Sequence, residues 1–190
     1  MKYSRTQIPD IIVCEPRVFG DHRGYFMEAF KQASLNDFLG HSISFCQDNE
    51  ASSKKGVLRG LHYQIGEYAQ TKLVRVVHGN VLDIAVDIRK GSPTFGQHIA
   101  VELSAENKKQ LLIPKGFAHG YITLSDTAIF SYKIDAPYSF EHERGIAYND
   151  AKLAIDWQLP SNEFILSDKD TQNPHFDQAT LFDYDLNYYE

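Results

Sequence analysis

Lys55-Gly-Val-Leu-Arg-Gly-Leu-His-Tyr-Gln64 is an apolar, β-prone run that contains two glycines. Such a run predicts a strand, and its glycines indicate a place where a polar ligand or another backbone segment comes close to it. Because side chains alternate between the two faces of a strand, His62 shares a face with Gln64, and Arg59 points the other way. Arg59 would join the face of His62 only if Gly60 marks a β-bulge, which a glycine inside a strand often does.

Further strand-like runs follow, separated by Gly, Pro, Asn and Asp. They cover residues 72–78, 81–88, 98–103, 110–113, 120–124 and 128–134. Gly79-Asn80 joins the first two of these runs, which predicts a β-hairpin. Helical patterns are limited to Phe30–Phe38 and a turn within Asn162–Asp170. Closely spaced strands with short turns predict an all-β fold, either a β-sandwich, a jelly roll or a barrel.

The composition is that of a soluble globular protein with one domain over residues 1–190. Hydrophobic residues make up 43% of the chain and charged residues 23%, and the net charge is -6. This charge argues against general nucleic-acid binding, which needs a basic surface. The sequence shows neither a signal peptide nor a membrane span. Cys14 and Cys46 are too few for a disulfide framework, so we expect reduced, buried thiols in a cytoplasmic protein.

Four polar side chains interrupt apolar strands or follow them closely. They are His62, Lys72, Tyr132 and a carboxylate of the pair Asp168/Asp170. An imidazole, an amine, a phenol and a carboxylate together can move protons beside a carbonyl group. Each alone has an ordinary structural explanation. Asp170, for example, could belong to the first turn of a helix that Ser167 caps.

A metal-binding jelly roll is the main alternative. Pro114-Lys-Gly-Phe-Ala-His119 resembles the second half-motif of cupins, in which a Pro-x-Gly turn precedes a histidine ligand. The first half-motif needs two histidines one residue apart and a glutamate, but here the matching stretch is His62-Tyr63-Gln64. His62 and His119 alone are too few ligands, since catalytic metal sites usually have about three. We therefore predict no metal.

Six stretches together resemble the dTDP-4-dehydrorhamnose 3,5-epimerase family over nearly the whole chain. They are Pro16-Arg-Val-Phe-Gly-Asp-His-Arg-Gly-Tyr-Phe-Met-Glu28, Gln47-Asp-Asn49, Lys54-Lys-Gly-Val-Leu-Arg-Gly-Leu-His-Tyr-Gln64, Gln70-Thr-Lys-Leu-Val-Arg-Val76, Pro114-Lys-Gly-Phe-Ala-His-Gly-Tyr121 and Glu143-Arg-Gly-Ile146. Their order and spacing match the family.

The resemblance implies a cupin-like jelly roll with a few short helices, without metal or cofactor, that forms a homodimer. It implies epimerisation of a dTDP-4-keto-6-deoxyhexose at C3 and C5 in dTDP-rhamnose or other deoxysugar biosynthesis. His62 would be the base, oriented by Asp170, Tyr132 the proton donor and Lys72 the cation beside the C4 oxygen.

The resemblance also implies a set of residues that contact the nucleotide sugar. They are Arg23, Glu28, Gln47, Asp48, Asn49, Arg59, His119, Glu143 and Lys169, together with Tyr138, which would stack on the thymine. Because the family shares sites between subunits, Arg23 and Glu28 would act across the dimer.

The chain departs from the family pattern at Glu50, Ser52 and Tyr148, where the family often has His or Asn, Arg, and Trp, respectively. None of these departures removes a proposed catalytic group, but they leave the exact sugar and the number of inverted carbons open. The alternatives are an epimerase that inverts a single carbon, a metal-dependent cupin oxygenase and a non-catalytic jelly roll that binds sugar nucleotides.

Overall fold

Two antiparallel sheets pack face to face in the computed structural model, which describes residues 1–189. The strands of the described chain are β1 (Lys2–Arg5), β2 (Ile12–Glu15), β3 (Val18–Asp21), β4 (Gly24–Met27), β5 (Gln47–Lys54), β6 (Leu58–Gln64), β7 (Lys72–His78), β8 (Asn80–Asp87), β9 (Arg89–Lys90), β10 (His98–Ser104), β11 (Gln110–Ile113), β12 (Phe117–Thr123), β13 (Thr127–Ile134), β14 (Glu143–Gly145) and β15 (Phe182–Asp183).

The strand order is that of a jelly roll. One sheet has six strands in the order β1-β2-β11-β7-β13-β5, and the other has five in the order β10-β8-β12-β6-β14. Most neighbours within a sheet are distant in sequence, as a double-sheet jelly roll requires. The predicted all-β, cupin-like fold is therefore confirmed, and every strand-like run of the sequence forms a strand.

Apolar side chains form one layer between the sheets and one on the outer face of each sheet. The inner layer includes Val74, Ala85, Leu111 and Phe130. The C-terminal segment covers the outer face of the five-stranded sheet, and helix α1 (Gln32–Leu39) covers that of the six-stranded sheet. Because both faces are covered, β8 and β12 are buried almost throughout, which explains their nearly continuous apolar sequences.

The predicted hairpin at Gly79-Asn80 is wrong. β7 pairs with β11 and β13, whereas β8 pairs with β10 and β12, so the chain crosses from one sheet to the other at this turn. Ser125 holds the turn instead, since its Oγ accepts a hydrogen bond of 2.9 Å from the Asn80 N–H. The Gly-Asn pair does mark a tight turn. The strands on either side of it are central strands of two different sheets, so they pair with other strands and not with each other.

Gly60 marks a bulge, which is the condition under which the sequence placed Arg59 on the face of His62. In the β6–β12 pair His62 lies opposite His119, but Arg59 lies opposite Tyr121, so β6 has one residue more than its partner. Gly60 has φ +124°, and a Cβ atom there would lie 2.5 Å from the Gly120 Cα. The extra residue brings Arg59 to the same side of the sheet as His62.

The helical predictions are confirmed in part. Helix α1 overlaps the predicted region, extends one residue beyond it to Leu39, and is followed by Gly40, whose φ is +79°. The second region contains no α-helix, and two single 3-10 turns, Ser161–Glu163 and Asp170–Gln172, overlap its two ends. The Oγ of Ser167 accepts a 3.2 Å hydrogen bond from the Asp170 N–H, but the 3-10 turn begins only at Asp170, with Lys169 and not Ser167 in the N-cap position.

Outside the sandwich, β3 and β4 form a separate two-stranded ribbon with exposed aromatic side chains, including Phe19, Tyr25 and Phe26. The tail beyond Thr171 packs on its own subunit, where β15 pairs with β9. Cys14 is buried as expected, but Cys46 is exposed, and both are free thiols. No helix within residues 1–189 has the length and apolar character needed to cross a bilayer.

Candidate active site

Two adjoining cavities lie between the sheets, with volumes of about 390 and 320 Å³. His62, Lys72 and Tyr132 line both of them. His62 belongs to β6 of the five-stranded sheet, whereas Lys72 and Tyr132 belong to β7 and β13 of the six-stranded sheet. The predicted base therefore faces the predicted acid and cation from the opposite wall.

Asp170 holds His62 from the C-terminal segment. The His62 Nε2 contacts the Asp170 Oδ1 directly, and Ser167 donates a 2.8 Å hydrogen bond to the other carboxylate oxygen. Burial alone would raise the pKa of Asp170, but the hydrogen bonds from His62 and Ser167 outweigh it and lower the pKa. An ionised carboxylate on one ring nitrogen orients the imidazole and leaves the other nitrogen free to take a proton.

Tyr132 lies on β13 beside Phe130, with their ring centroids 6.0 Å apart. Burial is the main reason that the pKa of Tyr132 is raised above its ordinary value of 10.0. The phenol is therefore protonated at neutral pH and can donate a proton into the cavity.

The Lys72 ammonium lies near the backbone of His62, with 3.4 Å between its Nζ and the His62 carbonyl oxygen. Burial lowers the pKa of Lys72 to about 8, and the negative charges of Asp83 and Glu143 act in the opposite direction. Lys72 is thus a half-buried cation that lines both cavities, where it can stabilise negative charge on a bound substrate.

The second cavity is lined by four of the ten residues predicted to contact the nucleotide sugar. These residues are Gln47, Asn49, Tyr138 and Glu143. The Tyr138 hydroxyl donates a 2.8 Å hydrogen bond to Glu143, and Lys169 forms an ion pair with the same carboxylate. Burial would raise the pKa of Glu143, but these two partners lower it. Tyr138 is 52% exposed, so its ring is accessible from solvent.

Arg59 and His119 line the first cavity, as the sequence predicts. The Arg59 Nε donates a 3.2 Å hydrogen bond to the Ser53 Oγ. His119 is buried, and its Nε2 lies 2.9 Å from the Asp83 Oδ2. Both residues depend on the bulge at Gly60, because it sets the β6–β12 register.

Three predicted contacts lie away from both cavities. Arg23 is on the exposed ribbon, where its Nε lies 3.1 Å from the Asp21 carboxylate, and Glu28 follows the ribbon and is exposed. The side chain of Asp48 points to the other face of β5 and pairs with Lys133 at 2.8 Å. Their roles in binding stay predictions.

Two residues with functional potential were missed as site residues. Asp83 is a buried carboxylate in the apolar run of β8, and that interruption of the run is the signal that could have found it. Gln64 lines the second cavity, and its Nε2 has no hydrogen-bond partner among the described residues. The period-2 pattern already put Gln64 on the face of His62.

The departures from the family pattern leave the predicted proton-transfer groups in place. Glu50 is exposed on β5, Ser52 offers its carbonyl oxygen to Arg59 at 3.4 Å, and Tyr148 packs in the outer layer against Phe164. Within residues 1–189, no group of three or more His, Cys, Asp or Glu side chains is arranged to hold a metal ion.

Comparison with known proteins identifies the family. The family described as dTDP-4-dehydrorhamnose 3,5-epimerase matches residues 5–178. The dTDP-4-dehydrorhamnose 3,5-epimerase of Shigella flexneri is 53% identical over 96% of this chain and 99% of its own length.

Solved structures agree with this relationship. The Legionella pneumophila dTDP-6-deoxy-D-glucose-3,5-epimerase in complex with dTDP-4-keto-L-rhamnose superimposes with a TM-score of 0.93. It is 47% identical and covers 97% of this chain and 99% of its own. ChmJ, a 3'-monoepimerase from Streptomyces bikiniensis in complex with dTDP-quinovose, has a TM-score of 0.85, with 33% identity over 91% of this chain and 87% of its own.

Proposed function

Because the chain belongs to the dTDP-4-dehydrorhamnose 3,5-epimerase family, we propose that it inverts C3 and C5 of dTDP-4-dehydro-6-deoxy-D-glucose to give dTDP-4-dehydro-L-rhamnose. The observation that carries this proposal is the arrangement of a histidine and a tyrosine on opposite walls of one cavity. Inversion at a carbon requires removal of a proton from one face and delivery of a proton to the other. His62 and Tyr132 occupy positions suited to those two steps.

The first step is proton abstraction by His62 from a carbon next to the C4 ketone. The ketone makes that C–H acidic because the resulting carbanion delocalises onto the carbonyl oxygen. An imidazole is a suitable base near neutral pH, and Asp170 stabilises the imidazolium that forms. Lys72 then stabilises the enolate oxygen, a charge that is present only after abstraction begins. One such donor contributes about 3–4 kcal/mol in other enzymes.

The second step is reprotonation from the opposite face by Tyr132. Its phenol is protonated at neutral pH because burial raises its pKa. After each inversion His62 releases the abstracted proton to solvent and Tyr132 takes one up, so both groups return to their starting states. Once C3 and C5 have each passed through this sequence, the net change is inversion at both carbons. Neither step oxidises or reduces the substrate, so the reaction requires an acid, a base and a group that stabilises the enolate charge.

Nucleotide binding extends from this centre into the second cavity. The guanidinium of Arg59 suits the diphosphate, since it can donate two parallel hydrogen bonds to phosphate oxygens. The exposed ring of Tyr138 suits the flat thymine base. Gln47, Asn49 and the Glu143–Lys169 pair supply further polar contacts to the nucleotide sugar.

A homodimer completes the binding site in this proposal. Arg23 and Glu28 lie on or beside the β3–β4 ribbon, away from the cavities of their own subunit. The exposed aromatic side chains of the ribbon are typical of a surface that packs on another chain. Packing of the ribbon on the partner subunit would bring Arg23 and Glu28 to the partner's site. The two free cysteines agree with a reducing, cytoplasmic location.

Proton NMR of the substrate incubated with the enzyme in deuterated water tests the proposal. We expect deuterium at both C3 and C5. Incorporation at one carbon would instead support a single-carbon epimerase, a possibility that the similarity to the monoepimerase ChmJ keeps open. No exchange above an enzyme-free control would refute the proposed epimerisation.

A further inference from the structure

We propose that Asp83 is a positioning residue of this active site, an inference that rests on the proposed roles of Lys72 and His119. Asp83 accepts a hydrogen bond from the imidazole N–H of His119, so that the other His119 nitrogen can accept a hydrogen bond from a sugar hydroxyl. Its negative charge also balances the ammonium of Lys72.

The burial of Asp83 is the first step of the argument. Its side chain is fully buried on β8, on the same strand face as Val81 and Ala85 in the apolar layer between the sheets. A buried carboxylate is costly to a fold unless other groups compensate its charge. One oxygen contacts His119 at 2.9 Å, and the other has no hydrogen-bond partner in the part of the chain that the structure describes. Such a group is a candidate for function as well as for structure.

The strand register connects Asp83 to the proton-transfer groups. Asp83 lies opposite Tyr121 in the β8–β12 pair, and His119 is two residues from Tyr121 on the same face of β12. His119 in turn lies opposite His62 in the β12–β6 pair. Asp83 is therefore one side chain removed from the first cavity, and it can act on a bound sugar only through its neighbours.

His119 and His62 both contact a carboxylate, but their environments differ. The side chain of His62 is 28% exposed, whereas that of His119 is 8% exposed. Burial lowers the pKa of His119, against the opposing effect of Asp83, so His119 is neutral near pH 7. A neutral imidazole whose N–H donates a hydrogen bond to Asp83 presents a lone pair on the other nitrogen. It is suited to orienting a hydroxyl group rather than to carrying a proton.

Charged and titratable side chains of several strands surround Lys72. Asp83 and Glu143 approach it from β8 and β14, and their negative charges raise its pKa. His62, His119 and Tyr132 face it from β6, β12 and β13. Glu143 already has an ion pair with Lys169 and a hydrogen bond from Tyr138. Asp83 has one carboxylate oxygen without a hydrogen-bond partner among the described residues, and burial raises its pKa while the charges of His119 and Lys72 act in the opposite direction.

The test is Asp83→Asn, which keeps the size of the side chain and removes its charge. We expect kcat/KM to fall roughly 10- to 100-fold, the usual effect of losing a partner that orients a functional histidine. Loss of the charge lowers the pKa of Lys72 further, and the protonated form is the one that stabilises the enolate. The alkaline limb of the activity profile should therefore move to lower pH, by about one unit.

Asp87→Asn is the matched control, since Asp87 is equally buried on the same strand face but pairs with Arg89. The alkaline limb of the pH–activity profile of Asp87→Asn should coincide with that of the wild type. An unchanged limb in folded Asp83→Asn would overturn the charge role of Asp83.

NMR of the ¹⁵N-labelled wild type provides a measurement that needs neither turnover nor a folded variant. We expect a neutral His119 with its proton on Nε2 near pH 7, and the opposite tautomer or a charged ring would overturn the role of Asp83 in orienting His119. Failure of the proposed function is distinguishable, because the wild type would then exchange no deuterium into the substrate at all.

Discussion

His62 lies directly opposite His119 in the antiparallel β6–β12 pair, immediately after the bulge at Gly60. Opposite residues of such a pair share a face of the sheet, so both imidazoles are on the cavity side. A register slip of one residue would turn either ring to the other face. The pairing of two strands thus fixes the relation between the proposed base and its neighbouring histidine.

Replacement of His62 by alanine should abolish turnover and leave nucleotide binding largely intact. His62 is the proposed base, and removal of a general base typically lowers rates by about 10²- to 10⁴-fold. The nucleotide contacts involve other residues in the second cavity. Deuterium exchange into the substrate measures the first effect, and calorimetric titration with dTDP measures the second.

His78→Ala is the control for this variant, because His78 is an exposed residue at the end of β7 that contacts only Thr127 among its side-chain partners. It should keep the wild-type rate. Near-normal turnover in His62→Ala would mean that another group is the base.

Replacement of Tyr132 by phenylalanine should separate proton abstraction from inversion. The ring still packs beside Phe130, but the acidic hydroxyl is lost. Exchange of the substrate proton through His62 should continue, whereas formation of the inverted product should fall about 10²-fold. NMR in deuterated water reports both quantities in one experiment.

Tyr121→Phe is the matched control, since Tyr121 lines the same cavity and stacks on Phe130 with its hydroxyl bound to Ser53. It should retain most of the inversion. If Tyr132→Phe exchanged no proton at all, or inverted the substrate at the normal rate, Tyr132 would have another role.

The sequence predicted the positions of the strands better than their pairing. Strand runs are local patterns, and His62, Lys72 and Tyr132 each interrupt an apolar strand face, but each alone has an ordinary structural explanation, and only the resemblance of the surrounding motifs assigns them a role. The hairpin at Gly79-Asn80 failed because pairing depends on burial between two sheets that are assembled from distant segments.

Asp83 was missed for a related reason. An acidic residue within an apolar run has no local explanation, and its partner His119 is 36 residues away along the chain. Only the strand pairing brings the two together. The same pairing explains why the sequence could place Arg59 beside His62 only on the condition of a bulge.

Replacement of Gly60 by alanine should destabilise the fold and weaken substrate binding. A Cβ atom at this position would lie 2.5 Å from the Gly120 Cα and 2.7 Å from the His119 carbonyl oxygen, and φ is +124°. Backbone strain and overpacking together should cost about 3 kcal/mol or more of unfolding free energy. Urea unfolding and dTDP titration measure the two effects.

Gly40→Ala separates strain from steric overlap. Gly40 also has a positive φ, +79°, but a Cβ atom there would meet no heavy atom within 4 Å. This variant should lose only about 1–2 kcal/mol and keep its affinity for dTDP. Equal losses in the two variants would contradict the close approach of β6 to β12 at Gly60.

Replacement of Asp87 by asparagine should reduce stability at neutral pH and have little effect in strong acid. Burial alone would raise the pKa of Asp87, but hydrogen bonds from Arg89, Ser92 and Thr94 outweigh it and hold the pKa below its ordinary value of 3.8. A carboxyl group with a lowered folded-state pKa stabilises the protein above its unfolded-state pKa. That contribution is lost as the pH falls through the lower value in the folded protein.

Urea unfolding at pH 7 should therefore show a loss of about 3 kcal/mol for Asp87→Asn, the usual cost of breaking a buried ion pair. The difference from the wild type should shrink as the pH is lowered from about 4 toward 2, where the wild-type carboxyl also becomes neutral. Asp126→Asn, at an exposed position, should match the wild type throughout. A loss for Asp87→Asn that stays constant with pH would mean that packing, and not the ionised carboxylate, holds the loop after β8.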